Sequence, residues 1–443
     1  MHEGQDSGYK PNLGLVSGLS LVVGTVIGSG IFFKQASVLE TAGSPFAGLM
    51  AWIVGGIITL AAGLTIAEVG ARVPKAGGFY SYLDDIYGHL TGFLTGWSQV
   101  VVYAPAVIAS IGGYAAHLTA NFLNLNLGLV RWIGVVYILF VMGINLLDHR
   151  VAAGFAVLTT SIKLVPIAIL VLYGLFFGQA DAIGTTAHQV IQTTSGSFGM
   201  AILATLFAYD GWVLVANIRS EMKNPRRDLP LSIVFGVLTI ILAYVGVTYG
   251  VYRALPAHTI VALGDNAVFA VVQAAFGAIG GRLLAIIIII SMLGTLNGKM
   301  VAFPRMAHAM ARDGYFPKYL GRLTTRTHVP AAATMTIGLA AILITTCTNS
   351  ADRLSDMAIF TVWIFYVLAF IGAFILRRRQ KNRGYVVDFK TPLYPLTPLV
   401  GVVGGSFVII STLQNDFSGA FTSLIMVLAG IPVYLYYKNK NQL

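Results

Sequence analysis

Three short stretches hold residues whose placement is costly unless they do chemistry. The first is VVGTVIGSGIFFK at 22–34, where Gly24, Gly28 and Gly30 crowd around Ser29 inside an apolar run. Each glycine costs about 1 kcal/mol relative to alanine in a helix interior. Consecutive flexible positions there can unwind a helix, and unwound backbone at membrane depth is tolerated only against protein or a polar cavity. The spacing Gly24-x-x-x-Gly28 also suits close helix packing, so this stretch alone leaves both readings open. The second is LFAYDGW at 206–212, with Asp210 and Gly211 in the middle of another apolar run. An ionisable residue at that depth is costly and usually functional. The third, TTSIKLVPIAIL at 159–170, sets Lys163 deep in a further run, about 16 Å from its start at 1.5 Å per residue.

Broken helices expose peptide groups of opposite sign. A half-helix starting after Ser29 presents free N–H groups and a positive dipole end, suited to a carboxylate. A half-helix ending near Phe207 and Ala208 presents free carbonyls, suited to an ammonium. Facing each other, the two ends read the zwitterion of an α-amino acid. Lys163 has a bland reading, snorkelling toward a helix end. The sharper one has its ammonium held by orphan carbonyls near Gly24 and Thr25. A fixed cation there does the structural job of a bound sodium ion and makes transport sodium-independent; proton coupling is the alternative.

The elements that must position these residues are membrane spans. Of the 443 residues 56% are hydrophobic and only 10% charged, against about 25% charged in a soluble domain. Apolar stretches long enough to cross a bilayer recur throughout. The fold expected is all-α and integral to the membrane, with twelve transmembrane helices near 14–39, 45–70, 90–118, 128–147, 152–177, 198–218, 230–253, 270–303, 330–347, 354–376, 397–413 and 418–437. The interruptions then fall in spans 1 and 6, the corresponding positions of two inverted halves, which points to a transporter's binding site.

Charge placement sets sidedness. With the N-terminus inside, one face collects most of the 28 Lys and Arg, including Lys10, Arg72, Arg150, Arg219, Lys299, Arg305, Arg312 and the run RRRQKNR at 377–383. The other keeps Arg131, Arg253, Arg282 and Arg353, while Lys34 and Lys163 fall within spans. The bias puts residues 1–13 and 438–443 in the cytoplasm and accounts for the basic pI without nucleic acid. The arginine run reads as a topology determinant, with a lipid-phosphate patch as the alternative. HAMARDGYFPKYLGRL at 308–323 reads as a helix lying at the interface. Cys347 is the one cysteine, so no internal disulfide or cysteine metal cluster is possible. The histidines, at 2, 89, 117, 149, 188, 258, 308 and 328, sit at expected span ends or in loops without ligand spacing. No cofactor or metal is expected.

In order along the chain, GTVIGSGIF, PKAGGFYSYL, LFAYDGW, EMKNPRRDLP and AMARDGYFP resemble the L-amino acid transporter branch of the amino acid–polyamine–organocation superfamily, and bacterial serine/threonine and alanine–serine–cysteine exchangers within it. The resemblance implies a five-plus-five inverted repeat of the LeuT type, spanning 14–177 and 198–376 with two further spans in 397–437, helices 1 and 6 being unwound at the midplane. It implies sodium-independent exchange at a plasma membrane. It assigns the carboxylate to Thr25, Val26, Ile27, Gly28, Ser29, Gly30 and Ile31. Phe207, Ala208 and Tyr209, before Asp210 and Gly211, take the amino group and close the pocket, Phe207 as a lid. Lys163 ties the first span at Gly24 to the eighth near Ser291 and Thr295, with Tyr244 and Asn297 beside the pocket. In this family the residue type at Asp210 varies. Animal members carry a cysteine between spans three and four that bonds a glycoprotein partner; NFLNLNLGLVR at 121–131 has none, so no disulfide-linked subunit is expected.

The substrate expected is a small neutral L-amino acid such as alanine, serine or cysteine. Cationic or large neutral amino acids are the alternatives, as is proton-coupled symport. Two other classes fare worse. An intramembrane aspartyl protease needs paired carboxylates, but Asp210 and the Asp265 of ALGD lie at different depths. A channel needs a filter loop or charged ring, and neither is present.

Overall fold

The structure, a computed structural model, describes residues 12–73, 75, 77–180, 197–347, 351–381 and 389–441. Lys10, Arg383, His2 and His188 lie outside the described residues, as do the side chains of His149, Arg353 and Lys381. In chain order the first helices are α1 (Leu15–Val26), α2 (Gly30–Ala42), α3 (Pro45–Arg72), α4 (Phe79–Tyr87) and α5 (His89–Trp97). A π-helical turn, Ser98–Tyr103, joins α5 to α6 (Ala104–Phe122), followed by α7 (Val130–Leu147), α8 (His149–Phe177) and α9 (Phe198–Ala208). A 3-10 helix, Trp212–Glu221, leads to α10 (Pro225–Ala254), α11 (Ala257–Leu263), α12 (Ala267–Arg312) and α13 (Ala331–Cys347). The last helices are α14 (Ala351–Lys381), α15 (Leu396–Asn415), α16 (Phe417–Leu428) and α17 (Gly430–Asn441).

Ten helical stretches among the described residues are long and apolar enough to cross a membrane, and eleven if α1 and α2, bent by 45°, count as one. The expected ninth span is α13, whose 17 residues cover about 26 Å, short of a hydrocarbon core of about 30 Å. The chain is thus a multi-pass, all-helical membrane protein with a broken helix near its start.

Local chemistry sets the helix ends. Ser44 caps α3 by accepting from the Ala47 amide at 3.3 Å, with Pro45 at the first helical position, where its missing N–H costs nothing. Asp148 accepts from Arg150 N at 2.8 Å to start α8, and Ser197 from Met200 N at 3.3 Å to start α9. Leu13 pairs with the strand-like end of the second interrupted span, donating to Glu221 O and accepting from Lys223 N, both at 2.8 Å. The chain start is thereby pinned to the residues that follow that interruption.

At this end of the bundle, charges counted as loop charges from sequence are consumed in pairs. Glu68 holds Arg72 and Arg377 at 2.6 Å and accepts from Thr391 N at 2.7 Å. Arg305 makes a two-pronged pair with Glu221, and Arg219 donates to Gly70 O at 2.5 Å. Arg379 reaches the Asp85 and Ile86 carbonyls at 2.9 and 3.2 Å, closing the end of α4. Arg377 of the 377–383 run therefore turns inward onto Glu68, while Arg379 stays exposed and is taken up by the α4 carbonyls. Both engagements weaken the reading of the run as a lipid-phosphate patch. The expected interfacial helix at 308–323 is also corrected: α12 continues to Arg312, then a turn and the short 3-10 segment Lys318–Gly321 follow. Asp313 accepts from the Tyr80 hydroxyl there, and burial lifts its carboxyl above the usual range despite that bond.

Glu68→Gln leaves two guanidinium groups around a neutral amide. The expected loss is about 2–3 kcal/mol after discounting for the partial exposure of Arg377, read as a lower melting temperature in detergent. An unchanged melting temperature would mean that the cluster contributes no net stability.

Candidate functional site

The first break begins where α1 ends at Val26. Ile27 turns extended at φ −72° and ψ 92°, and α2 starts at Gly30 with no side-chain cap from Ser29. A new helix leaves its first amides without intrahelical acceptors; here Phe32 N and Phe33 N turn back onto Ser29 O at 3.0 and 3.1 Å, and Ser29 and Gly30 border a cavity. The carbonyls behind the break are held from the opposite side. Lys163, fully buried, donates to Gly24 O at 3.0 Å and Ile27 O at 2.5 Å, and its ammonium lies 3.3 Å from Thr295 Oγ1. That hydroxyl is itself 3.0 Å from both carbonyls, and Ser291 Oγ lies 3.4 Å from Ile27 O. One cation and two hydroxyls thus satisfy a backbone that has lost its helical ladder.

The second break follows α9. Tyr209 and Asp210 close a last turn onto Thr205 O and Phe207 O at 3.0 and 3.2 Å. Gly211 then takes φ 120°, which L side chains rarely adopt, and the 3-10 helix begins. The breaks are bonded together. Thr25 Oγ1 lies 2.7 Å from Leu21 O in its own helix and 3.1 Å from Gly211 O across the gap, and Tyr244 Oη lies 3.1 Å from Val26 O and 3.0 Å from Ala208 O. Close approach needs a missing side chain: a Cβ on Gly30 would sit 2.8 Å from Ala208 Cβ and 3.1 Å from its Cα. Gly30→Ala forces these segments apart at an expected cost of about 1–3 kcal/mol. A lower melting temperature with a raised apparent KM is the result to look for; unaltered values of both would contradict the contact.

Between the breaks lies a narrow cavity of about 50 Å³. Thr25, Val26, Gly28, Ser29 and Gly30 form one wall and Phe207, Ala208 and Asp210 another, with Thr295 at the side. Ile27 and Ile31 are fully buried and lie outside the lining. Tyr209 turns away, donating to Trp52 O at 3.1 Å and packing on Trp52 and Tyr244. Gly24, Lys163, Ser291 and Gly211 stand one layer behind, acting on the backbone of the breaks. Asn297 is elsewhere: it donates to Ala152 O at 3.0 Å and accepts from Asn145 Nδ2 at 2.8 Å, so it joins α7, α8 and α12. Lys34 caps the Phe207 ring at 5.3 Å.

The wall facing the first break was not read from the sequence. Tyr103, Val107 and Ser110 line it, together with Lys299. Lys299, placed on the basic face by hydropathy, is 2% exposed inside α12 with its ammonium 3.6 Å from Asp210 Oδ2. Its hydrogen bond goes to Tyr103 Oη at 2.9 Å, and Tyr103 in turn donates to Asp210. Tyr366 Oη adds a 3.3 Å contact to Asp210 Oδ1. His308, expected at a span end, is likewise buried in α12. A signal did exist: Ser291, Thr295 and Lys299 are spaced four residues apart and share one helix face. Asp265 is absent from that lining and borders a second cavity, of about 850 Å³, together with Arg282.

Two interrupted helices of a multi-pass bundle thus meet at one small, mostly apolar cavity that carries Lys299 and Asp210. The chain belongs to the amino acid permease family, which matches residues 13–434. It is 41% identical over 439 residues to the serine/threonine exchanger SteT of Bacillus subtilis (strain 168), across 99% of either chain. It is 29% identical to large neutral amino acids transporter small subunit 2 of Mus musculus, over 97% of this chain and 82% of that one. It is 26% identical to b(0,+)-type amino acid transporter 1 of Homo sapiens, over 90% and 83%. Its place is therefore among amino acid transporters of the L-amino acid branch and not among enzymes, which ends the protease reading.

Proposed function

We propose that the protein exchanges small neutral L-amino acids across a plasma membrane by alternating access, independently of sodium. The observation that carries this is the Lys163 ammonium on the Gly24 and Ile27 carbonyls, a protein cation where a coupling ion would otherwise hold the broken span. The carboxylate sits on the amides of Ser29 and Gly30, the ammonium at the carbonyl end of α9, and Phe207 covers both. Small size follows from the narrow cavity. Neutral side chains are favoured over cationic ones because Lys299 already faces Asp210. The similarity to a serine/threonine exchanger agrees.

The proposed architecture has twelve spans in inverted halves, 14–177 and 198–376, with the spans of 397–437 outside the repeat. Taking α1–α2 as one span and α13 as a short one supplies that number. Both termini face the cytoplasm, and no disulfide-linked subunit is required.

Counterflow in proteoliposomes tests the reading. Labelled serine is expected to enter fast when alanine or serine is loaded inside, slowly when the lumen is empty, and equally in sodium and choline buffers. Uptake that needs sodium, or that follows a proton gradient without internal substrate, would contradict it.

A further inference from the structure

The α6 side of the cavity has an arrangement that amino acid backbone binding leaves unused. Lys299 and Asp210 face each other at 3.6 Å, too far for a hydrogen bond. The Tyr103 hydroxyl stands between them, accepting from Lys299 at 2.9 Å and donating to Asp210. The Lys299 ammonium also lies 5.1 Å from the Tyr103 ring centroid. That ring is fixed edge-on against Phe303 at 5.4 Å, and Tyr103 is the last residue of the π-helical turn that aims it. All three polar residues line the cavity.

We infer that Tyr103 is a specificity-determining wedge: by keeping Lys299 and Asp210 apart, it turns both toward a hydroxyl on the substrate side chain. This rests on the exchange reading above. An ammonium has three protons, and among the described residues Lys299 makes one hydrogen bond, to Tyr103. A substrate hydroxyl entering beside them accepts a proton from Lys299 and donates its own to Asp210. Serine and threonine complete the network, whereas alanine offers Lys299 and Asp210 no ligand partner. An apolar side chain of serine's size is worse still, because it displaces water and offers nothing in return.

Without the wedge, Lys299 can close directly on Asp210 and the hydroxyl loses both partners. Tyr103→Phe is therefore expected to lower kcat/KM for serine and threonine about tenfold or more while alanine stays within about threefold. Serine and alanine falling together, or neither changing, would overturn the inference. The unmodified protein supplies a second readout that needs no variant. 2-Aminobutyrate carries a methyl where serine carries its hydroxyl, and it is expected to compete for labelled serine exchange about tenfold less well than serine does. Equal competition would overturn the inference even if Tyr103→Phe does not fold. Exchange that proceeds without this discrimination contradicts only the wedge; a wild-type protein that exchanges no amino acid contradicts the exchange reading as well.

Discussion

Lys163→Ala is expected to cut amino acid exchange about tenfold to a hundredfold while the protein still reaches the membrane and binds detergent as a folded species. The substitution removes the donor that serves Gly24 O and Ile27 O. Thr295 Oγ1 lies 3.0 Å from both carbonyls but has one proton for the two, and Ser291 Oγ reaches Ile27 O only at a long 3.4 Å. A buried acceptor left unsatisfied costs about 1–3 kcal/mol, and each 1.4 kcal/mol placed on a transport step is about tenfold in rate. The loss falls on transport because the carbonyls belong to the segment that must hold its shape while α1 and α2 change their relation. Counterflow from each side of oriented proteoliposomes measures it, with a raised KM expected on the cytoplasmic side. Unchanged kinetics from both sides would show that the ammonium is not the tether.

Asp210→Asn is expected to cost about 3–5 kcal/mol of stability, because it leaves the buried Lys299 charge without its carboxylate. Lys299 is 2% exposed, and the other groups that reach Asp210, Tyr103 and Tyr366, are neutral phenols that cannot replace a carboxylate. Removing both charges together, as Asp210→Asn with Lys299→Met, is expected to restore most of the loss, since two desolvation costs disappear with the pair. Melting temperatures of the two single variants and the double variant form the cycle. Additive losses would mean that the two residues act independently, and the 3.6 Å pair would then have no energetic role.

What could be read from the sequence follows from how locally each cost is felt. Gly28-Ser29-Gly30 and Asp210-Gly211 break rules within a single helix, so their abnormality shows in a window of seven residues. Lys163 stood out because an ammonium at that depth has no water to reach. Lys299 lies near the end of the expected span 270–303 and counts there with the basic face. Arg305 and His308 fall beyond it because a hydropathy reading ends a span where charges gather, while α12 continues through them to Arg312. The charges of Lys299 and Arg305 are met by residues from distant parts of the chain, Asp210 and Glu221, which no window contains. Tyr103 escaped for a different reason. The π-helical turn changes the residue count per turn, so the face on which Tyr103 lies is not the one that a regular period assigns. Which of Phe207, Ala208 and Tyr209 meets the cavity depended on the turn after α9, and that turn sends Tyr209 toward Trp52. Asn297, on the helix of Ser291 and Thr295 but two residues out of their spacing, faces α7 and α8 instead.

The central claim is that two interrupted helices, steadied by a lysine in place of a metal cation, hold an amino acid by its backbone charges. An experimental structure at saturating serine in sodium-free buffer tests it most directly. The account predicts the serine carboxylate on the amides of Ser29 and Gly30, its ammonium at the α9 carbonyl end, and the Lys163 ammonium still on Gly24 and Ile27. Serine bound instead beside Arg282 in the second cavity, with the space between the two breaks closed, would contradict it.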